Sequence, residues 1–152
     1  MLYDDLILEA ERHGVDVYEK PLKRIKGLYA DGIVWINSGI ATSSEKACIL
    51  AEELGHYHTS VGDILDQRNI RNRKQERAAR QWAYERLVPL EKIIEAHHAR
   101  LSSRHDFAEF LGVTEPFLQA AIERYREKYG LYVTRGRYTI CFEPLGVIEE
   151  FS

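Results

Sequence analysis

The segment Ala51-Glu52-Glu53-Leu54-Gly55-His56 carries the side chains best placed to do chemistry. Residues four apart on a helix differ by only about 40° in direction, so Glu52 and His56 would face the same way. A His-Glu-x-x-His helix uses that spacing to put two ligands on one divalent metal ion. The Glu after the first ligand is then placed to take a proton from water held at the metal. Here Glu52 stands at the first ligand position, Glu53 at the general-base position and His56 at the second ligand position. A carboxylate is a legitimate zinc ligand, though harder than imidazole. Taken alone, two Glu and one His on a helix read more readily as a solvated face. Such a site needs a third ligand, for which a following helix is the natural source.

Residues 75–89 read Gln-Glu-Arg-Ala-Ala-Arg-Gln-Trp-Ala-Tyr-Glu-Arg-Leu-Val-Pro. With this second segment the chain resembles the ImmA/IrrE family of metallopeptidases. That family pairs a His-Glu-x-x-His helix with a later helix of the form Glu-x-x-Ala-Asn-x-Phe-Ala-x-x-Leu-Leu-x-Pro. Glu76 falls on the ligand Glu, Ala79 and Ala83 on the alanines, and Leu87 and Pro89 on the closing Leu and Pro. Trp82 replaces the Phe, Arg80 the Asn, and Glu52 the first His. The resemblance implies that His56 and Glu76 are metal ligands, that Glu53 is the catalytic base and that the metal is zinc. It also implies a zincin-like helical core.

Glu52 as a ligand is read from the residues themselves, not from the family. Two carboxylates and one imidazole would neutralise Zn²⁺ and would accept Mn²⁺ better than a two-His site. The chain looks like a phage-type branch that uses Glu-Glu-Leu-Gly-His. The implied activity is that of an anti-repressor endopeptidase, cleaving a helix-turn-helix repressor of a prophage or mobile element. The alternatives are a non-catalytic anti-repressor with a degenerate metal site and a helix-turn-helix DNA-binding regulator.

His58 and Asp63 are reserve ligands. On a continuing helix His58 would lie about 200° from His56, and only a helix ending near Tyr57 would let it turn back. His97 and His98 are adjacent, point about 100° apart on a helix and read as surface residues. Arg68, Arg71, Arg73, Lys74, Arg77 and Arg80 read as a solvated face, or as a basic surface beside the cleft that greets an acidic partner or a DNA-bound substrate. Residues 106–125 have helix-turn-helix spacing, but their second helix shows no Arg or Lys before Arg124. A recognition helix presents basic or amide groups, so direct nucleic-acid binding is not expected. Ile33 to Ile36 is read as an edge strand on which an extended substrate could pair.

The elements that must position these groups follow from periodicity and breakers. A helix is expected over 2–13, ended by His13-Gly14, then a short strand at Val15 to Tyr18. Residues 25–36 read as a hairpin turning at Ala30-Asp31-Gly32. The motif helix should run from Ser44 to Tyr57 and the next from Asn69 to Leu87, with residues 91–99 continuing after Pro89. Helices at 104–111 and 115–129 and a hairpin over 131–142 complete the chain. The fold class is α+β: a small N-terminal antiparallel sheet packed on the helical core, then C-terminal helices and a late β-hairpin. Residues 1–100 are expected to form the metallopeptidase domain, with 101–152 a small extension packed on it.

With 45% hydrophobic and 30% charged residues over 152, the composition suits an ordinary soluble globular chain. The net charge of -3 gives no general attraction to nucleic acid or an anionic membrane. There is no apolar run of membrane-spanning length and no basic, apolar leader, so a cytoplasmic location is expected. Cys48 and Cys141 form neither a Cys-x-x-Cys site nor a disulfide framework and are expected to be buried apolar residues.

Overall fold

The structure, a computed structural model, describes residues 1–60 and 73–151. Six helices and six strands lie among these residues, and the fold is α+β. The chain divides into two compact units, Met1–Ala83 and Tyr84–Ser152.

In the first unit, α1 (Leu2–Arg12) buries Tyr3, Leu6 and Ala10, a stripe at helical spacing. Gly14, at φ 78°, ends it and turns the chain into β1 (Asp16–Lys20). Strands β2 (Gly27–Ala30) and β3 (Ile33–Asn37) form the expected hairpin. Its two turn residues, Asp31 and Gly32, have φ of 51° and 77°, the pair of positive values a tight hairpin turn demands. Along β3, Val34 and Ile36 alternate into the core.

The sheet order is β1-β3-β2, with β3 antiparallel to β2 but parallel to β1. The sheet is therefore mixed rather than wholly antiparallel. The chain reverses twice between β1 and β3, so the two run the same way, and β1 adds to the side of β3 that the hairpin leaves free. Asn37 ties the intervening connection down: its Nδ2 donates to the carbonyls of Leu22 at 2.9 Å and Ile25 at 3.1 Å.

Helix α2 (Ser43–Thr59) starts at Thr42, whose Oγ1 accepts the Glu45 N–H at 3.1 Å. It packs against α1 and both hairpin strands, burying Ala47, Cys48, Leu50, Ala51 and Leu54. Helix α3 (Arg73–Leu87) follows the undescribed residues, so the expected start at Asn69 lies outside the described part.

In the second unit, α4 (Leu90–His98) begins after Pro89, and α5 (Arg104–Leu111) and α6 (Glu115–Tyr129) are capped by Ser103 and Thr114. Gly112, at φ 78°, turns the chain between α5 and α6. The expected hairpin is β4 (Tyr132–Arg135) with β5 (Tyr138–Phe142), extended by a third antiparallel strand, β6 (Leu145–Glu149). Tyr125 and Phe142 stack in the core with half-buried Tyr129 against them, and the Tyr125 hydroxyl donates to the Val88 carbonyl at 2.8 Å. Cys48 is buried as expected. Cys141 is only half-buried, because period-2 alternation on β5 sends Ile140 and Phe142 inward and Cys141 to the other face.

One polar knot joins three elements of the first unit. Glu19 on β1 accepts from the Tyr3 hydroxyl of α1 and from the Lys46 ammonium of α2, both at 2.7 Å. These bonds, led by that of Lys46, hold the Glu19 carboxyl below its ordinary range. A carboxyl with a depressed folded pKa stabilises the fold above its unfolded pKa, and the contribution fades as pH falls through the folded value. Replacing Glu19 by Gln should therefore cost about 0.5–1 kcal/mol at pH 7, small because the carboxylate is partly exposed and screened. Urea unfolding across a pH series should show the difference from wild type shrinking as pH falls below the ordinary glutamate value of 4.5.

Candidate metal centre

Glu53 and His56 are the two buried polar residues of the core, at 9% and 5% exposure, among the described residues. Burying such groups in an apolar core is costly unless they are matched by partners. His56 finds one across the helix crossing: its Nε2 lies 3.3 Å from Oε1 of Glu76 on α3.

Gly55 makes that approach feasible. A Cβ built on Gly55 would stand 2.3 Å from the Ala79 carbonyl oxygen and 2.9 Å from its carbonyl carbon and Cα. The backbones of α2 and α3 therefore touch at Gly55 and Ala79, which only glycine permits. Ala79 is also fully buried and small. One residue beyond Gly55 comes His56, and one turn before Ala79 comes Glu76, so the contact brings the imidazole and the carboxylate together.

The other side of α2 is set by the same device. A Cβ on Gly27 would lie 2.6 Å from Ile49 Cγ2 and 3.3 Å from Glu53 Cγ. Strand β2 thus lies directly on α2, with the Glu53 stem beneath its first residue. At its C-terminal end α2 is closed by hydroxyls: Thr59 Oγ1 donates to the Gly55 carbonyl at 2.7 Å, and Ser60 Oγ donates to the His56 carbonyl.

Glu52 is half-buried on the helix face it shares with His56. Burial raises its carboxyl pKa above the ordinary range. Arg80 opposes that rise, the charges of Glu53 and Glu76 add to it, and Lys26 opposes it further. Among the described residues, the tight set of three whose ligand atoms all lie within 4.8 Å of one another is elsewhere, at exposed His105, Asp106 and Glu109. The ligand atoms of Glu52, His56 and Glu76 are thus not drawn into so tight a set: Glu52 feels the charge of Glu76, while His56 and Glu76 are paired.

The reserve residues go elsewhere. Helix α2 continues to Thr59, so His58 points away from His56. It stacks on Trp82 with centroids 4.5 Å apart and meets the rings of His13 and Tyr57 edge-on at 4.9 Å. Burial and the neighbouring His13 hold its pKa down. Asp63, Arg68 and Arg71 lie outside the described residues. His98 hydrogen-bonds the Tyr138 hydroxyl at 2.9 Å. The expected edge strand, Ile33 to Ile36, is the central strand of its sheet. Strand β1 takes one side of it and β2 the other, so the edges belong to β1 and β2. The α5–α6 pair exposes Glu115 and Glu123 on α6, with Arg126 and Lys128 exposed in its last turn.

Gly27, Trp82 and Arg80 complete the neighbourhood, and sequence reasoning had assigned none of them a role in the site. Gly27 carried a usable signal, since an isolated glycine in a strand marks a close backbone approach. The donors present suit a borderline or hard divalent cation: one imidazole, the facing Glu76 carboxylate and a second carboxylate one helical turn away.

The sequence pattern of the IrrE N-terminal-like domain matches residues 10–123, three-quarters of the chain and both helices of the site. The chain belongs to this M78 peptidase family. No match was found among curated proteins or among solved structures. As a member of the family it is a metallopeptidase-type protein, and its family implies a protein substrate. No helix among the described residues is long and apolar enough to cross a membrane.

If the Gly55–Ala79 contact sets the site, Gly55→Ala must push the helices apart. Overpacking of this kind costs about 1–3 kcal/mol, and a backbone obstacle puts the variant at the upper end. Denaturant unfolding should show that loss, and imidazole NMR signals of His56 should shift as the Glu76 contact opens. Ala79→Gly should restore little, because the clash is with the Ala79 backbone rather than its methyl group.

Proposed function

We propose that the chain is a metal-dependent endopeptidase in which His56 and Glu76 hold the cation, Glu52 completes the ligand set and Glu53 is the general base. The observation that carries this reading is His56, buried in the core, turned toward the Glu76 carboxylate of the next helix at 3.3 Å. When bound, Zn²⁺ or Mn²⁺ would supply the polarisation of a peptide carbonyl and the acidification of water that such hydrolysis needs.

The chain's own residues do the rest. Glu53 accepts the proton of the attacking water and passes it to the departing amine. Its low exposure keeps that exchange away from bulk solvent. Strand β2, a sheet edge lying over Glu53, is the place where an extended substrate would add as a further strand. The resemblance to the ImmA/IrrE family supplies the substrate class: a helix-turn-helix repressor of a prophage or mobile element, cleaved inside the cell.

A second reading is a non-catalytic anti-repressor that sequesters the same partner. It is favoured by one specific feature, the Glu at position 52 in place of the first His. The two separate on metal content and cleavage. Elemental analysis should find about one divalent ion per wild-type chain and a large loss in both His56→Ala and Glu76→Ala. Glu53→Gln should keep the metal and lose about 10²–10⁴-fold in cleavage of a co-expressed repressor, the range of a removed general base. Full activity in Glu53→Gln would discard the assigned base, and stoichiometric metal without cleavage in the wild type would favour the binding module.

A further inference from the structure

The outer face of the first sheet carries a row of apolar side chains that its own unit leaves partly open. Glu19 turns to Tyr3 of α1 and Lys46 of α2, at 2.7 Å each, and Val34 and Ile36 fill the core. Alternation along the strands therefore sends Asp16, Tyr18 and Lys20 of β1, with Ile33 and Trp35 of β3, to the opposite face. The register sets Tyr18, Trp35 and Leu28 side by side across all three strands. The Tyr18 and Trp35 rings stand 5.3 Å apart, and Tyr18 and Leu28 are 49% and 40% exposed. Single exposed apolar residues are ordinary, but three neighbours in register form a patch.

The charges around that row are placed symmetrically. On β1, Asp16 stands two residues before Tyr18 and Lys20 two residues after it. The exposed Asp31 of the hairpin turn belongs to the Asp16 end, since Asp16 pairs with Ile33 just beyond that turn. Lys23 and Arg24, exposed in the connection after β1, belong to the Lys20 end. Lys20 Nζ lies 4.2 Å from the centroid of the Trp35 ring, which puts its charge on the apolar row itself. Lys26 bridges Glu45 of α2 at 3.1 Å and takes no part. The face is thus acidic at one end, apolar in the middle and basic at the other. Such a face is complementary to a copy of itself turned end for end. A twofold axis along the Tyr18–Trp35–Leu28 row lays the row on its own copy and sets Asp16 of each chain opposite Lys20 of the other. An axis parallel to the strands would set like charges opposite one another instead.

We propose that two copies of the chain associate through this face, sheet against sheet with their strands antiparallel. The Tyr18–Trp35–Leu28 row supplies the apolar centre, and two Asp16–Lys20 pairs flank it. An acidic partner of another kind would satisfy Lys20, Lys23 and Arg24 but would meet Asp16 and Asp31 with like charge; a second copy satisfies both ends. Three short strands offer less area than a permanent dimer buries, so the association is weak and depends on concentration. The proposal stands apart from the metal-centre reading. Gly27 and the Glu53 stem meet on the opposite face of the sheet, so the site residues take no part in the contact.

The test is sedimentation equilibrium of the full chain. From about 5 to about 500 µM the average mass should climb from that of one chain toward twice that, as a small interface with a Kd on the order of 100 µM requires. Raising NaCl from about 0.05 to about 0.5 M should weaken association about threefold, because the flanking pairs are screened. Asp16→Lys and Lys20→Asp should each weaken it at least about tenfold, since each turns two attractive pairs into repulsive ones. An equimolar mixture of the two variants should recover it, because every pair between unlike chains is again of opposite sign. Tyr18→Ser should weaken it at least about fivefold through the apolar row alone. A wild type that keeps the mass of one chain throughout overturns the proposal. If that monomer also binds a fluorescent oligo-glutamate peptide, and Lys20→Asp abolishes the binding, the face belongs to an acidic partner instead. A dimer that the single variants leave unchanged, or a mixture that recovers nothing, overturns it too. Circular dichroism melts establish that each variant is folded.

Discussion

Two helix backbones in contact, at Gly55 and Ala79, are the constraint on which the site depends. Helix axes usually pass 8–10 Å apart because side chains keep them separate. Removing the side chain at the crossing point lets α2 and α3 approach until backbone meets backbone. An imidazole and a glutamate, both short relative to the usual gap, can then face each other at 3.3 Å. The same economy recurs at Gly27, where a missing Cβ lets β2 settle onto α2 above Glu53. Two glycines thus place the site helix between a strand and a second helix, with the reactive groups on the sides that each glycine leaves open.

Much of this was legible in the sequence because helical phase is a local property. Glu52 and His56 share a face by spacing alone, and the second segment supplied Glu76 in the correct order. The Asp31-Gly32 turn identified the hairpin, since few residue pairs accept two consecutive positive φ values. Strand order was not legible. That β1 pairs with β3, making β3 central, is a long-range choice that period-2 patterning does not encode. The edge reading of Ile33 to Ile36 failed for that reason. Strand β6 escaped because the apolar pattern of Leu145 to Glu149 is short and interrupted by Gly146. His58 went to an aromatic cluster because α2 runs two residues past Tyr57, where Thr59 and Ser60 cap its last carbonyls.

The aromatic cluster has its own part in positioning. Trp82 occupies the place of a Phe in the family pattern and stacks on His58 at 4.5 Å. Tyr57 meets both His58 and Tyr29 edge-on, tying α2 to the hairpin as well as to α3. These contacts lie beyond His56 along α2, so α2 and α3 are joined at successive points rather than at one. A crossing held by a single touching pair could pivot; one held by Gly55–Ala79, His56–Glu76 and His58–Trp82 cannot pivot without breaking ring packing. The orientation of His56 toward Glu76 is therefore a property of the whole interface.

The costs of this arrangement argue for its purpose. An α2 that buried Leu at positions 53 and 56 would pack the same sheet and helix with no polar group to desolvate. Instead a carboxylate and an imidazole occupy buried places on the helix, and the charges of Glu53 and Glu76 act on Glu52 beside them. Buried ionisable groups in a cleft with mutually perturbing charges mark sites of function more often than sites of stability. Glu52 sharpens the point. As a structural residue it would be a poor choice, half-buried and facing two like charges. As a donor for a divalent cation it would be better used: burial first, then the charges of Glu53 and Glu76, raise its proton affinity, and a cation would relieve that cost.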